Sequence, residues 1–114
     1  MSCQPRQTSI ESWLGYEAIA LIRPEPGELT RRFGLRFESG YDDLDETLVA
    51  ALEAPSGRRF GLLRHIHAPI AGTEILWDLR RDDLPDALGE VLGLLELGPS
   101  EVEWVLSGEG SRSR

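Results

Sequence analysis

The strongest constraint on the fold comes from residues 58–78, where two apolar runs are separated by a short loop. The runs, residues 58–67 and 72–78, are rich in aromatic and branched side chains that pack well on a pleated surface. Pro69, which has no N–H group, and Gly72, which accepts a positive φ, lie at the connection. This pattern predicts a β-hairpin. Because apolar residues occur at both parities, we expect both strands to be central in a sheet.

Apolar spacing predicts three further strands and two helices. The strands are expected over residues 16–23, 33–38 and 101–106, and the helices over residues 41–52 and 84–95. The second strand is predicted from the alternation of Phe33, Leu35 and Phe37 with polar residues. The helices are predicted from apolar residues three and four positions apart. Residues 23–32 are expected to form an exposed connection with about one turn of helix.

The predicted order of elements is therefore ββαββαβ. Its short connections favour an α+β fold, with a mainly antiparallel sheet of four to five strands and two helices packed on one face. A length of 114 residues fits one domain. We expect residues 1–9 to be a flexible N-terminus, residues 10–107 to form the domain, and residues 108–114 to be a disordered tail.

Composition limits the classes of partner. A formal net charge of −8 argues against nucleic acid, whose phosphate backbone is bound by basic surfaces. No apolar run approaches the roughly 18 residues that a membrane helix needs, so no membrane interaction is expected. Cys3 is the only cysteine, which excludes an internal disulfide and suits a reducing compartment. Together with the lack of an apolar signal segment, this predicts a cytoplasmic protein.

His65 and His67 are the candidate metal ligands with the clearest spacing. Residues two positions apart on a strand point the same way, so both imidazoles could hold one ion. Glu74 or Asp78 could add a third ligand from across the hairpin. A zinc site normally has three or four protein ligands, however, and no cysteine pair or third histidine is present. We therefore predict no metal and no cofactor, and expect both rings to form local hydrogen bonds.

The candidate partner-binding residues are one tryptophan and three carboxylates: Trp104, Asp42, Asp43 and Glu46. Tryptophan is enriched at interfaces, and Trp104 lies on the last predicted strand. If that strand lies at a sheet edge, it could pair with a second copy of the chain, which predicts a homodimer. The carboxylates could attract a basic partner, although the start of the predicted helix also explains them.

The sequence contains no G-x-S-x-G, P-loop, G-x-G-x-x-G, H-E-x-x-H or C-x-x-C motif, which favours a protein without catalytic activity. In size, charge and layout the chain resembles small acidic bacterial proteins that sequester partners, such as immunity proteins and secretion chaperones, but it shares no motif with them. We predict a non-enzymatic protein-interaction module whose protein partner is unknown, with a basic protein as the candidate. The alternative is a small-ligand or metal-binding domain, or a minor hydrolase, centred on His65 and His67.

Overall fold

The computed structural model describes residues 5–42, 45–80 and 83–106. In these ranges the chain forms seven strands and two α-helices: β1 (Arg6–Thr8), β2 (Tyr16–Ile22), α1 (Pro26–Phe33), β3 (Glu38–Asp42), β4 (Asp45–Glu53), β5 (Arg59–His65), β6 (Thr73–Asp78), α2 (Leu84–Leu94) and β7 (Val102–Val105). A short 3-10 turn, Pro99–Glu101, precedes β7. The predicted α+β class is confirmed.

All strands belong to one antiparallel sheet in the order β1-β4-β5-β6-β2-β7. β1 and β3 pair with the same edge of β4. β1 pairs with the C-terminal part of β4, and β3 pairs with its N-terminal part. The sheet therefore has seven strands, and the predicted count of four to five is corrected. The predicted hairpin is confirmed: β5 and β6 pair in register from Gly61 with Leu76 to Leu63 with Glu74, at the centre of the sheet.

The predicted helix over residues 41–52 is wrong, because the described part of this segment contains the end of β3 and most of β4. Seven residue pairs join β4 to β5, while β1 and β3 pair along the other side of β4. Most residues of β4 thus pair with strands on both sides. That long-range pairing outweighs the modest helix preference of Leu, Ala and Glu, which is only a weak prior.

The predicted strand over residues 33–38 is also wrong for most of its length. The connection before it contains α1, which begins with Pro26 in its first turn and ends at Gly34, whose φ is 73°. Proline at the start and a left-handed glycine after the end are a common pair of helix boundaries. Leu35 and Phe37 then run towards β3 and pack on the core, and Leu35 is fully buried.

Both helices pack on one face of the sheet. The core cluster joins Leu29 of α1 and Val91 of α2 to strand residues that share this face, including Leu52, Phe60 and Ile75. The second predicted helix is confirmed as α2. Asp83 precedes the first turn of α2 and forms no side-chain cap there. Its carboxylate Oδ2 instead accepts hydrogen bonds from Nε and Nη2 of Arg58, at 3.0 and 2.8 Å.

The N-terminal segment extends the sheet. Arg6–Thr8, within the segment expected to be flexible, form β1 and pair with β4. The Gln7 side-chain amide bonds to the backbone of Arg36 in both directions, at 3.0 and 2.8 Å. This pair of bonds ties β1 to the segment between α1 and β3. No helix in the described ranges is long and apolar enough to cross a membrane.

Candidate interaction surface

The structure places the two histidines differently. His65 is the last residue of β5 and pairs with Thr47 of β4. His67 lies in the following turn, where its Nδ1 is 2.6 Å from Oδ1 of Asp45 and its backbone N–H donates to Oδ2 of Asp45 at 3.0 Å. Burial acts to raise the pKa of the Asp45 carboxyl, but the bonds from His67 outweigh it and lower that pKa below its ordinary value.

The two acidic residues proposed as metal ligands lie at opposite ends of β6. Glu74 shares a face with Leu63 and His65. Asp78 is four residues further on, a distance of about 13 Å along a strand, and its carboxylate accepts two hydrogen bonds from the Arg80 guanidinium at 2.8 Å. Among the described residues no group of three or more His, Cys, Asp or Glu side chains could hold a metal ion. Cys3 lies outside these residues.

The proposed acidic patch does not lie at a helix start, because its described residues belong to the end of β3 and the start of β4. Glu46 of β4 is exposed and pairs with Tyr41, and its backbone carbonyl accepts the N–H of Ile66. Asp43 and the side chain of Asp42 lie outside the described residues. Strand parity places Glu46 on the side of the sheet that carries the helices, whereas Trp104 is on the other side. The structure therefore does not combine these predicted partner-binding residues in one surface.

The sheet face opposite the helices carries half-buried apolar side chains, and we call it the open face: Ala18, Val49, Leu63, Leu76 and Trp104. No helix in the described part of the chain lies on it. Leu21 and Ala51 also point to this face and lie outside the core cluster. An apolar surface of this kind, spread over several strands of one sheet, is a candidate docking surface.

One row of paired residues crosses the open face from β3 to β7. In spatial order it contains Glu38, Val49, Leu63, Glu74, Leu21 and Trp104. Neighbouring strands lie about 4.8 Å apart, so this row spans roughly 24 Å. Its centre is Glu74, a half-buried carboxylate between Leu63 and Leu21. The row is therefore apolar over most of its length, with one carboxylate at the centre and another at the β3 end.

Trp13 covers part of the open face. Its ring lies directly over Gly61, where a Cβ atom would be 2.4 Å from Trp13 Cζ3. The ring also makes an edge contact with Tyr16, with 5.4 Å between centroids, and the residue remains 39% exposed. Gly61 of β5 therefore lies where a side chain would meet this indole ring.

The cations on the open face are already engaged with two carboxylates. Arg6 and Arg59 both contact the carboxylate of Glu53, at 2.8 and 3.3 Å. Asp78 binds Arg80, as described above. By contrast, the two carboxylates of the cross-sheet row, Glu38 and Glu74, form no ion pair within the described residues. The unbalanced charge of this face is therefore negative.

β7 pairs with β2 and, in the described ranges, with no other strand, so it forms one edge of the sheet. The homodimer expected through this strand stays a prediction. Sequence reasoning named Trp104 but not the other members of the open face. Apolar residues at both even and odd positions of the hairpin indicated burial of both faces of the sheet. The structure covers only one of these faces with helices.

No family model, curated protein sequence or solved structure that was compared matches this chain.

Proposed function

We propose that the chain is a non-enzymatic protein-interaction module, whose open face binds a basic amphipathic segment of another protein. The observation that carries this proposal is the cross-sheet row, with Val49, Leu63 and Trp104 half-buried and Glu74 at its centre. The helices bury the other face of the same sheet in the core. A second layer on the open face would complete the burial of these side chains.

Charge determines which kind of segment fits. A partner that covers Leu63 must also remove the neighbouring Glu74 from water, which is unfavourable for a carboxylate without a countercharge. The arginines of this face already bind Glu53 and Asp78. We therefore expect a Lys or Arg of the partner to supply the countercharge. The net charge of −8 would favour approach of a basic segment.

The test is capture from a lysate of the source organism on immobilised full-length chain, with bound proteins quantified by mass spectrometry. Wild type is compared with Leu63→Ser and Glu74→Gln on the open face. The matched controls are Tyr41→Ser and Glu46→Gln, which change an exposed apolar residue and an exposed carboxylate on the other side of the sheet.

We expect wild type and both control variants to capture the same basic protein. Each open-face variant should recover at least tenfold less of it than wild type does. Raising the salt to about 1 M should also weaken its capture, because the Debye length falls to about 3 Å. Loss of the protein with Glu46→Gln and not with Glu74→Gln would refute the open face and favour the surface around Glu46 at the start of β4. Retention by all four variants would refute both surfaces.

A further inference from the structure

A cleft opens between the end of β1 and the start of β3, at the border of the open face. Its volume is about 570 Å³. Apolar side chains form much of its lining: Ile10, Trp13, Phe37, Val49 and Ala51. Surface clefts that bind small organic groups usually have volumes of about 300–1,000 Å³ and mainly apolar walls. This cleft therefore has the size and chemistry to receive apolar groups from outside the chain.

The cleft exists because two strands share one side of β4 without meeting. β1 pairs with β4 as far as Ala51, and β3 begins its pairing at Val49. Neither set of pairs includes Ala50, which lies at the bottom of the gap. The two hydrogen bonds between Gln7 and the Arg36 backbone join the opposite walls. The gap is thus a fixed feature of the strand register.

We propose that this cleft receives one or two bulky apolar side chains of the segment that binds the open face. The inference rests on the proposed function, since Val49 and Trp13 belong to both the cleft and the open face. The rim carries Arg36 and Glu38, which have opposite charges, so it gives no net preference for an anion or a cation. The apolar walls therefore select the occupant, while Glu74 selects the basic residue beside it.

The cleft can be tested without the partner by titrating ¹⁵N-labelled full-length chain with N-acetyl-L-phenylalaninamide and N-acetyl-L-leucinamide, followed by NMR. N-acetyl-L-glutaminamide is the polar control probe. We expect saturable shifts from the two apolar probes at the amides of Ile10 and Ala51 and at the Trp13 indole N–H, and none from the polar probe. Saturable shifts that cluster elsewhere, or none up to the solubility limit of either apolar probe, would overturn the proposal.

A matched pair of variants identifies the cleft as the site. Val49 and Leu63 are cross-strand neighbours, both half-buried, but only Val49 lines the cleft. Val49→Trp should fill the cleft and weaken binding of the phenylalanine probe at least tenfold, whereas Leu63→Trp should leave it within twofold. Ser9→Trp, at an exposed position of the wall, serves if Val49→Trp does not fold. Equal binding by the filled and control variants would refute the assignment.

The two proposals fail in different ways. If the probes bind in the cleft but lysate capture does not depend on Leu63 or Glu74, the interaction function is refuted together with the role of the cleft in it. If capture depends on both residues but the probes do not bind, only the cleft is refuted and the open face stands.

Discussion

Replacing Gly61 by alanine tests how the N-terminal segment is held against the open face. The added Cβ would lie 2.4 Å from Cζ3 and 2.9 Å from Cη2 of Trp13. Carbon atoms in favourable contact are about 3.5–4.0 Å apart, so the ring must move by about 1 Å or more. The backbone of Gly61 is not in the left-handed region, so alanine itself introduces no backbone strain. The cost therefore arises from the displacement of Trp13.

The size of that cost follows from the contact area. Trp13 is 39% exposed, so about 60% of its surface is covered. A tryptophan buries up to roughly 250 Å², which gives about 150 Å² for this residue. At about 25 cal/mol per Å², the whole contact is worth at most about 3.8 kcal/mol. A tilted ring keeps part of it, so we expect a loss of about 1–2 kcal/mol. Alanine regains about 0.5–1 kcal/mol over glycine in a strand.

A double-mutant cycle separates these two effects. With wild-type Trp13, Gly61→Ala should lower the free energy of unfolding by up to about 1.5 kcal/mol, whereas in a Trp13→Ala background it should raise it by about 0.5–1 kcal/mol. The predicted contact with Cβ of Leu76, at 3.2 Å, is present in both backgrounds and cancels. Urea unfolding followed by far-UV circular dichroism measures all four proteins. With a slope of about 2 kcal/mol per M, a change of 1 kcal/mol shifts the midpoint by about 0.5 M. An equal effect of Gly61→Ala in both backgrounds, within about 0.5 kcal/mol, would show that Trp13 does not pack on Gly61.

Three further predictions concern the scaffold. Thr73→Val should destabilise the fold by about 1–3 kcal/mol in urea unfolding, because the buried Thr73 hydroxyl donates to the Pro24 carbonyl at 2.7 Å and that acceptor would lose its partner. Thr73→Ser should retain most of the stability. If Thr73→Val lowers the free energy of unfolding no more than Thr73→Ser does, this role of the hydroxyl is contradicted. Burial acts to raise the pKa of Glu90, but hydrogen bonds from Ser56 and Arg58 lower that pKa overall from its ordinary value of 4.5. The stabilising contribution of Glu90 is therefore complete above pH 4.5 and declines as the pH falls through the lowered pKa. Acid unfolding should show a stability difference between wild type and Glu90→Gln that shrinks below pH 4.5, and a constant difference would refute this. Gln7→Ala should accelerate hydrogen exchange of the Arg36 amide, which donates to the Gln7 side chain at 2.8 Å, without changing exchange of the Gly34 amide, which donates to Thr30.

The elements predicted correctly are those whose signals are local. The β5–β6 hairpin is marked by its loop, and α2 by apolar spacing that ends before Gly98 and Pro99. α1 also had local boundary signals in Pro26 and Gly34. The alternation of apolar and polar residues from Phe33 to Phe37 nevertheless predicted a strand that begins at the last residue of this helix. That alternation is real in the sense that Leu35 and Phe37 pack on the core, although the segment does not join the sheet.

The β3–β4 region could not be assigned from local pattern. Tyr41, Leu48 and Leu52 have helical spacing, but β4 is stabilised by partners at other points in the chain, with Leu52 opposite Phe60 and Thr8 opposite Ala51. The same non-local pairing creates the open face and the cleft, since both depend on which strands lie side by side. The surface proposed here therefore follows from strand order, which the sequence pattern did not specify.

Glu74 has two consequences for an exposed apolar sheet face. In the free chain, its charge interrupts the row between Leu63 and Leu21, which opposes non-specific association of apolar surfaces. If the open face binds a partner as proposed, Glu74 would penalise a partner that brings only apolar groups, because the carboxylate would be buried without a countercharge. The same residue would thus keep the face hydrated when it is free and restrict it to basic partners. Glu74→Leu should therefore bind apolar surfaces less selectively, which a hydrophobic dye and analytical ultracentrifugation can measure against wild type. If that variant binds no more dye and self-associates no more than wild type, Glu74 does not protect the open face.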